Sequence, residues 1–188
     1  MEHSSELIIE VADEYESLKS FESSNAQMDI FIHEYLSACS RSHFCVTYYV
    51  RFEPKGEVVA LFSLSNDSVD LNEDDFDDMR IGAAGTEFPL VEADFRERFE
   101  QKCTYPCLEI TYLAVSKRYQ NFKIGSTLID FIANIARNQK VSGCVFLTVN
   151  ALHTASYSAV SFYEKNHFAK LTPVPQFDVW PMYKTLWY

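Results

Sequence analysis

Leu113-Ala114-Val115-Ser116-Lys117-Arg118-Tyr119-Gln120-Asn121-Phe122-Lys123-Ile124-Gly125-Ser126-Thr127-Leu128 is a strand end that runs through a short polar loop straight into a helix. Unpaired backbone N–H groups and the positive dipole end at a helix N-terminus form a ready site for a pyrophosphate. Gly125 lets such a group approach the backbone, and Ser126 and Thr127 offer hydroxyl donors beside it. Taken alone, one glycine equally marks a plain helix cap.

Working outward, Cys107–Val115 reads as the strand before the loop, and Ile124, Leu128, Phe131, Ile132 and Ile135 mark the apolar face of the helix after it. Val145–Val149 reads as a strand, Ser158–Lys165 as a helix, and Phe168–Leu171 and Met182–Trp187 as closing strands. The order strand, helix, strand, helix, strand is βαβ logic, so part of the sheet is expected to be parallel. Upstream, Leu7–Val11 reads as a strand, and Met28, Phe31, Ile32, Tyr35, Leu36 and Cys39 fall on one helix face. Phe44–Phe52, the turn Pro54-Lys55-Gly56 and Val58–Leu64 read as a hairpin. The stretch Asn66–Asp78 is acidic enough to read as a solvated loop, with Val91, Phe95 and Phe99 suggesting a short helix beyond it. Repeats and low-complexity tracts are absent, and one domain spanning 1–188 is expected, with 66–105 as an acidic insertion.

The 188 residues are 47% apolar, 15% aromatic and 23% charged, a globular balance that excludes wholesale disorder. No apolar run approaches the roughly 18 residues that span a bilayer. The segment Met1–Glu6 has neither the basic region nor the apolar stretch of a secretory signal. A cytoplasmic protein without membrane contact is expected. The net charge of −11 is uneven: residues 1–65 carry 4 basic and 11 acidic groups, 66–105 carry 4 and 12, and 106–188 carry 8 and 4. The acidic half argues against a nucleic-acid partner, and the basic final third suits an anionic small molecule. Cys39, Cys45, Cys103, Cys107 and Cys144 are odd in number and read as reduced thiols, with Cys45 and Cys144 in apolar runs. Cys103 and Cys107 lack a second ligand pair for a closed zinc site, so no metal is expected.

Gln120-Asn121-Phe122-Lys123-Ile124-Gly125 resembles the acyl-CoA pyrophosphate loop of the GCN5-related N-acetyltransferase (GNAT) superfamily, Gln/Arg-x-x-Gly-x-Gly/Ala. Ala159-Val160-Ser161-Phe162-Tyr163-Glu164-Lys165-Asn166-His167-Phe168 is similar to the family's Ala-x-x-Phe-Tyr-x-x-x-Gly-Phe segment. The likeness covers Cys107 to about Leu171 well and the upstream elements loosely. It departs at Lys123 and His167, where the family has glycine, and at Ser156, where it commonly has Asn, with Asn150 standing earlier at the strand end.

The resemblance implies an α/β fold with a mixed, mostly antiparallel sheet, one parallel pair and flanking helices. It implies an acetyl-CoA-dependent transfer to a primary amine by direct attack. Tyr163 matches the family's general acid, since a phenol of pKa about 10 can protonate a departing thiolate. Glu109 matches the glutamate of lysine-acetylating members, and a carboxylate among Leu108, Ile110 and Tyr112 suits a base. Strand-end amides of Leu113, Ala114 and Val115 would hold the pantetheine and polarise the carbonyl. Gln120, Asn121, Phe122, Lys123, Ile124, Gly125, Ser126 and Thr127 would bind the phosphates, with Asn150 and Ser156 as further cofactor contacts. His153 and His33 carry no such match. The acceptor is expected to be a small-molecule or peptide amine, and no oligomeric state is read from the pattern. Two alternatives stand beside this: an enzyme like the toxins that acetylate aminoacyl-tRNA, and a non-catalytic acyl-CoA-binding module.

Overall fold

A computed structural model describes residues 7–83, 86 and 88–186. Its strands are β1 (Ile8–Val11), β2 (Val46–Arg51), β3 (Ala60–Asp70), β4 (Thr104–Val115), β5 (Phe146–Leu152), β6 (Ala169–Lys170) and β7 (Val179–Thr185). Its helices are α1 (Ala26–Glu34), α2 (Leu36–Arg41), α3 (Glu73–Ile81), α4 (Arg96–Glu100), α5 (Ile124–Asn138) and α6 (Val160–Lys165). The strands form one mixed sheet in the order β1-β2-β3-β4-β5-β7-β6. β4 and β5 pair in parallel, through Cys107–Phe146, Leu108–Leu147 and Glu109–Thr148. The helix α5 supplies the crossover between them, as the βαβ pattern requires. Antiparallel ladders join β1 to β2, β2 to β3, β5 to β7 and β6 to β7. The expected closing-strand end Trp187 and the segment Met1–Glu6 lie outside the described residues.

The chain packs as two compact units, Met1–Ser65 with Ile110–Leu128, and Asn66–Glu109 with Ile129–Tyr188. In the first unit Leu18, Phe21, Ile32, Leu36, Tyr49, Leu61 and Ala114 form the core. The periodic face from Met28 to Cys39 is carried by two helices rather than one, with the break at Tyr35, whose φ is stretched to −116° while its ψ stays at −30°. Backbone bonds from Tyr35 N to Phe31 O and from Cys39 N to Tyr35 O keep the two pieces in phase, so the apolar face survives the break. Asn25 caps α1 by accepting from Met28 N at 3.1 Å.

In the second unit the expected solvated loop at 66–78 is not a loop. The strand β3 continues to Asp70, with Val69 buried, and Leu71, Phe76 and Met79 join Phe99, Tyr105, Cys107, Phe146 and Tyr183 in one core. Acidic composition hid an alternating strand and a well-capped helix. Asn72 accepts from Asp74 N and Asp75 N while Asp75 accepts from Asn72 N, a capping box, and the acidic first turn of α3 suits the helix dipole. Gly82 closes α3 at φ 66°. The short helix expected near Phe95 and Phe99 is present as α4 behind a single 3₁₀ turn.

Candidate active site

In the first unit the segment that opened the sequence reading is strand, loop and helix. Ile124 begins α5, and the first intrahelical bond runs from Thr127 N to Lys123 O at 3.0 Å. The amides of Ile124, Gly125 and Ser126 therefore have no intrahelical acceptor. Asn121 and Lys123 both adopt left-handed backbone, at φ 67° and 62°. Lys123 thus keeps the conformation that favours glycine at the family's glycine position, with its side chain exposed. The loop turns as a glycine-bearing loop would and presents its amides at a 15-residue helix, which fits an anionic pyrophosphate.

Two residues expected to touch the cofactor have other partners. Gln120 Nε2 donates to Ser23 O at 2.6 Å and to Val115 O at 3.1 Å. Its amide ties the loop to the strand end and to the segment that leads into α1. Thr127 Oγ1 donates to Lys123 O at 3.2 Å, so its one proton reinforces the first turn. Ala114 is buried in the core, Leu113 and Val115 are half-buried, and Phe122 is exposed.

The second unit holds Glu109, Asn150, Ser156 and Tyr163. Alternate residues of a strand share a face, and on one face β3, β4 and β5 present Val69, Tyr105 with Cys107, and Phe146 to the core. One step farther along the same face each strand turns polar, at Asp67, Glu109 and Thr148. Thr148 is the register partner of Glu109 and donates to Asp67 Oδ2 at 2.6 Å. Asn150, the next residue of that face on β5, donates from Nδ2 to Glu109 Oε1 at 3.0 Å. Glu109 is half-buried and Asn150 exposed. Asp67 and Thr148 were not singled out in the sequence; the alternation Asp67, Val69, Leu71 was the available signal.

Tyr163 lies in α6 and is buried, 6% exposed, between the rings of Phe162 and Phe168. Burial pushes its phenol well above the ordinary tyrosine value, with Tyr157 nearby adding to the shift. The family-like segment around it is a helix stop. Phe168 N donates to Tyr163 O and His167 N to Glu164 O, both at 3.0 Å, while His167 stands at φ 64°. Those two bonds and the Phe168–Tyr163 ring contact make a Schellman motif, which fixes the turn that carries the tyrosine. Ser156 is exposed in the Thr154–Tyr157 turn, and His33 Nε2 pairs with Phe21 O. All five cysteines are free; Cys45 is buried and Cys144 half-buried.

The sequence profile described as the Acetyltransferase (GNAT) family matches residues 8–168. The chain belongs to the GNAT acetyltransferase family. It is accordingly an N-acetyltransferase that uses acetyl-CoA. No curated protein matches it. Among solved structures it is similar to a tyrosine-to-phenylalanine mutant of the AtaT toxin, with TM-score 0.68 at 17% identity over 97% of this chain and 91% of that one. It is also similar to AtaTR bound with AcCoA, with TM-score 0.67 at 18% identity over 96% and 94%. A third is AtaT complexed with acetyl-methionyl-tRNAfMet, with TM-score 0.66 at 18% identity over 96% of this chain and 95% of that one. At these identities the likeness is one of fold. Among the described residues no group of three His, Cys, Asp or Glu side chains could hold a metal ion. No described helix is long and apolar enough to cross a membrane.

Proposed function

We propose that the enzyme transfers acetyl from acetyl-CoA to a primary amine by direct attack, with a small cationic amine or a peptide lysine as acceptor. The observation that carries this reading is Glu109, an ionisable carboxylate at the polar end of an otherwise apolar sheet face. Bound acetyl-CoA supplies the activated carbonyl and the thiolate leaving group. The amides of Ile124, Gly125 and Ser126 hold the pyrophosphate, with Asn121, Lys123 and the Gln120 anchor shaping the loop around it. Amides at Leu113–Val115 orient the pantetheine and draw charge from the carbonyl oxygen. Glu109 takes a proton from the acceptor ammonium, freeing the nitrogen lone pair to form the C–N bond. Tyr163 gives its proton to the sulfur as the C–S bond breaks and regains one from solvent, while the new amide nitrogen sheds its second proton to water. The acidic surface attracts cationic acceptors and disfavours polyanions. The five reduced thiols support a cytoplasmic setting.

A second reading, acetylation of an aminoacyl-tRNA, is favoured by the neighbour complexed with acetyl-methionyl-tRNAfMet. A single acceptor screen separates the two. Release of free CoA thiol is followed with polyamines, aminoglycosides, lysine peptides and charged tRNA. Turnover with cationic amines or peptides and none with charged tRNA is expected. Thiol release with charged tRNA alone would replace the first reading by the second.

A further inference from the structure

The resemblance made Asn150 a cofactor contact, yet its amide lies 3.0 Å from Glu109 Oε1. We propose that Asn150 is a positioning residue of the base, fixing the direction of the Glu109 carboxylate toward the acceptor nitrogen through its bond to Oε1. The inference rests on the reading of Glu109 as base.

A glutamate side chain is flexible, and restricting it costs rotamer entropy. One directed hydrogen bond from a neighbouring strand restricts it before the acceptor arrives. The chemistry of the partner matters as much as its place. A Lys or Arg at this position would hold the carboxylate ionised and strip it of basicity. A neutral amide fixes direction while leaving a base that can still accept a proton. The same face repeats the arrangement at Asp67, which is held by the neutral Thr148 hydroxyl.

Titratable groups on this face are Asp67 on β3, Tyr105 and Cys107 on β4 and Tyr183, the register partner of Thr148, on β7. Burial, then Asp67, pushes the Cys107 thiol up to about 12, so it stays uncharged where amines are acetylated. Pro181, opposite Asn150, has no ionisable group. Asp67 is a neighbouring charge on this face, and it is common to every variant below.

The test measures kcat and KM for acetyl-CoA against pH, with any accepted amine, in Asn150→Ala, Asn150→Asp, Glu109→Gln and Glu109→Gln combined with Asn150→Ala. A base must be deprotonated, so its titration sets the acidic limb of the rate. Removing a donor that favours the carboxylate moves that limb to higher pH, and a second carboxylate moves it farther. The expected order of limb midpoints is wild type, then Asn150→Ala, then Asn150→Asp, the last displaced by about one pH unit. Asn150→Ala should lower kcat about 10-fold with KM for acetyl-CoA within about twofold of wild type. In the Glu109→Gln background it should change kcat by less than about twofold, because no base is left for it to position.

A rise of about tenfold in KM for acetyl-CoA with kcat retained would overturn the proposal and return Asn150 to the cofactor. Independent, multiplying losses in the double variant would also overturn it. Failure of the underlying reading is seen separately: Glu109→Gln alone would then keep the wild-type rate and acidic limb. Asn150 is exposed, so folding should survive its replacement. If Asn150→Ala does not fold, the near-isosteric Asn150→Asp still reports the limb.

Discussion

Lys123 and His167 stand in the same left-handed backbone region, at φ 62° and 64°, in two turns of different construction. At His167 the turn ends a helix, and its geometry is matched by two backbone bonds and a ring contact made within the fold. At Lys123 the turn begins a helix, and the amides of Ile124, Gly125 and Ser126 have no acceptor within that helix. At both positions a residue with a Cβ holds backbone that favours glycine. A Cβ in this region costs about 1 kcal/mol or more. In one turn that strain lies in the loop proposed to hold the cofactor, and in the other it lies against solvent and the helix end. Substitution should therefore affect ligand binding at one site and stability at both.

The largest effect is expected where the helix stop serves chemistry. Tyr163→Phe should lower kcat by about 10²-fold with KM for acetyl-CoA little changed, as loss of a proton donor used in the transition state. Burial raises the phenol's pKa above its unfolded value, so the protonated form persists through ordinary assay pH. The sign follows: phenol ionisation cannot produce an alkaline limb near pH 9, and the variant should drop the plateau without moving either limb. A lost alkaline limb in steady-state profiles would show that bound substrate brings the phenol's titration back into range. Unchanged turnover would remove Tyr163 from the mechanism.

A smaller effect, and a more discriminating one, is expected at the loop. Lys123→Ala and Lys123→Gly remove the same ammonium, but only glycine removes the Cβ. If the ammonium supports the phosphates, both should weaken acetyl-CoA binding by about fivefold in calorimetry, less at high salt. Only Lys123→Gly should also raise the thermal midpoint. Tighter binding by Lys123→Gly would mean that the lysine obstructs the site.

What was legible in the sequence follows from how far apart the interacting residues are. The helix start at 123–127 and the stop around Tyr163 are made by bonds between residues no more than five apart, so the local motifs that carry the family resemblance pointed to both. The pairs Asp67–Thr148 and Glu109–Asn150 join residues 81 and 41 apart, and depend on strand register that no local pattern contains. Gln120 was legible as a loop residue, but its bonds to Ser23 and Val115 were not. The acidic run from Asp67 to Asp78 misled for another reason. Charge density suggested solvation, whereas alternate apolar residues and an Asn72 cap were enough to build a strand and a helix. Tyr35 shows the same lesson in reverse, since a periodic face does not require one unbroken helix.

The smallest effect is the cleanest test of the comparison. His167→Gly should stabilise the protein by about 0.5–1 kcal/mol, measured as a higher urea midpoint at constant m-value. Glycine relieves the Cβ penalty in the left-handed region, and part of that gain is offset by the extra freedom it gives the unfolded chain. His167→Ala keeps the Cβ and should give no gain, which separates backbone relief from loss of the imidazole. The two Schellman bonds use backbone N–H groups that glycine retains, and the Phe168–Tyr163 contact does not involve residue 167. Tyr163 should therefore stay in place, with kcat and KM for acetyl-CoA within about twofold of wild type. A stabilised His167→Gly with normal kinetics, beside a Lys123→Gly with altered binding, would establish that the two strained turns differ in what they face. Equal kinetic effects at both would mean that the helix stop also bears on the cofactor, and the distinction between the turns would fall.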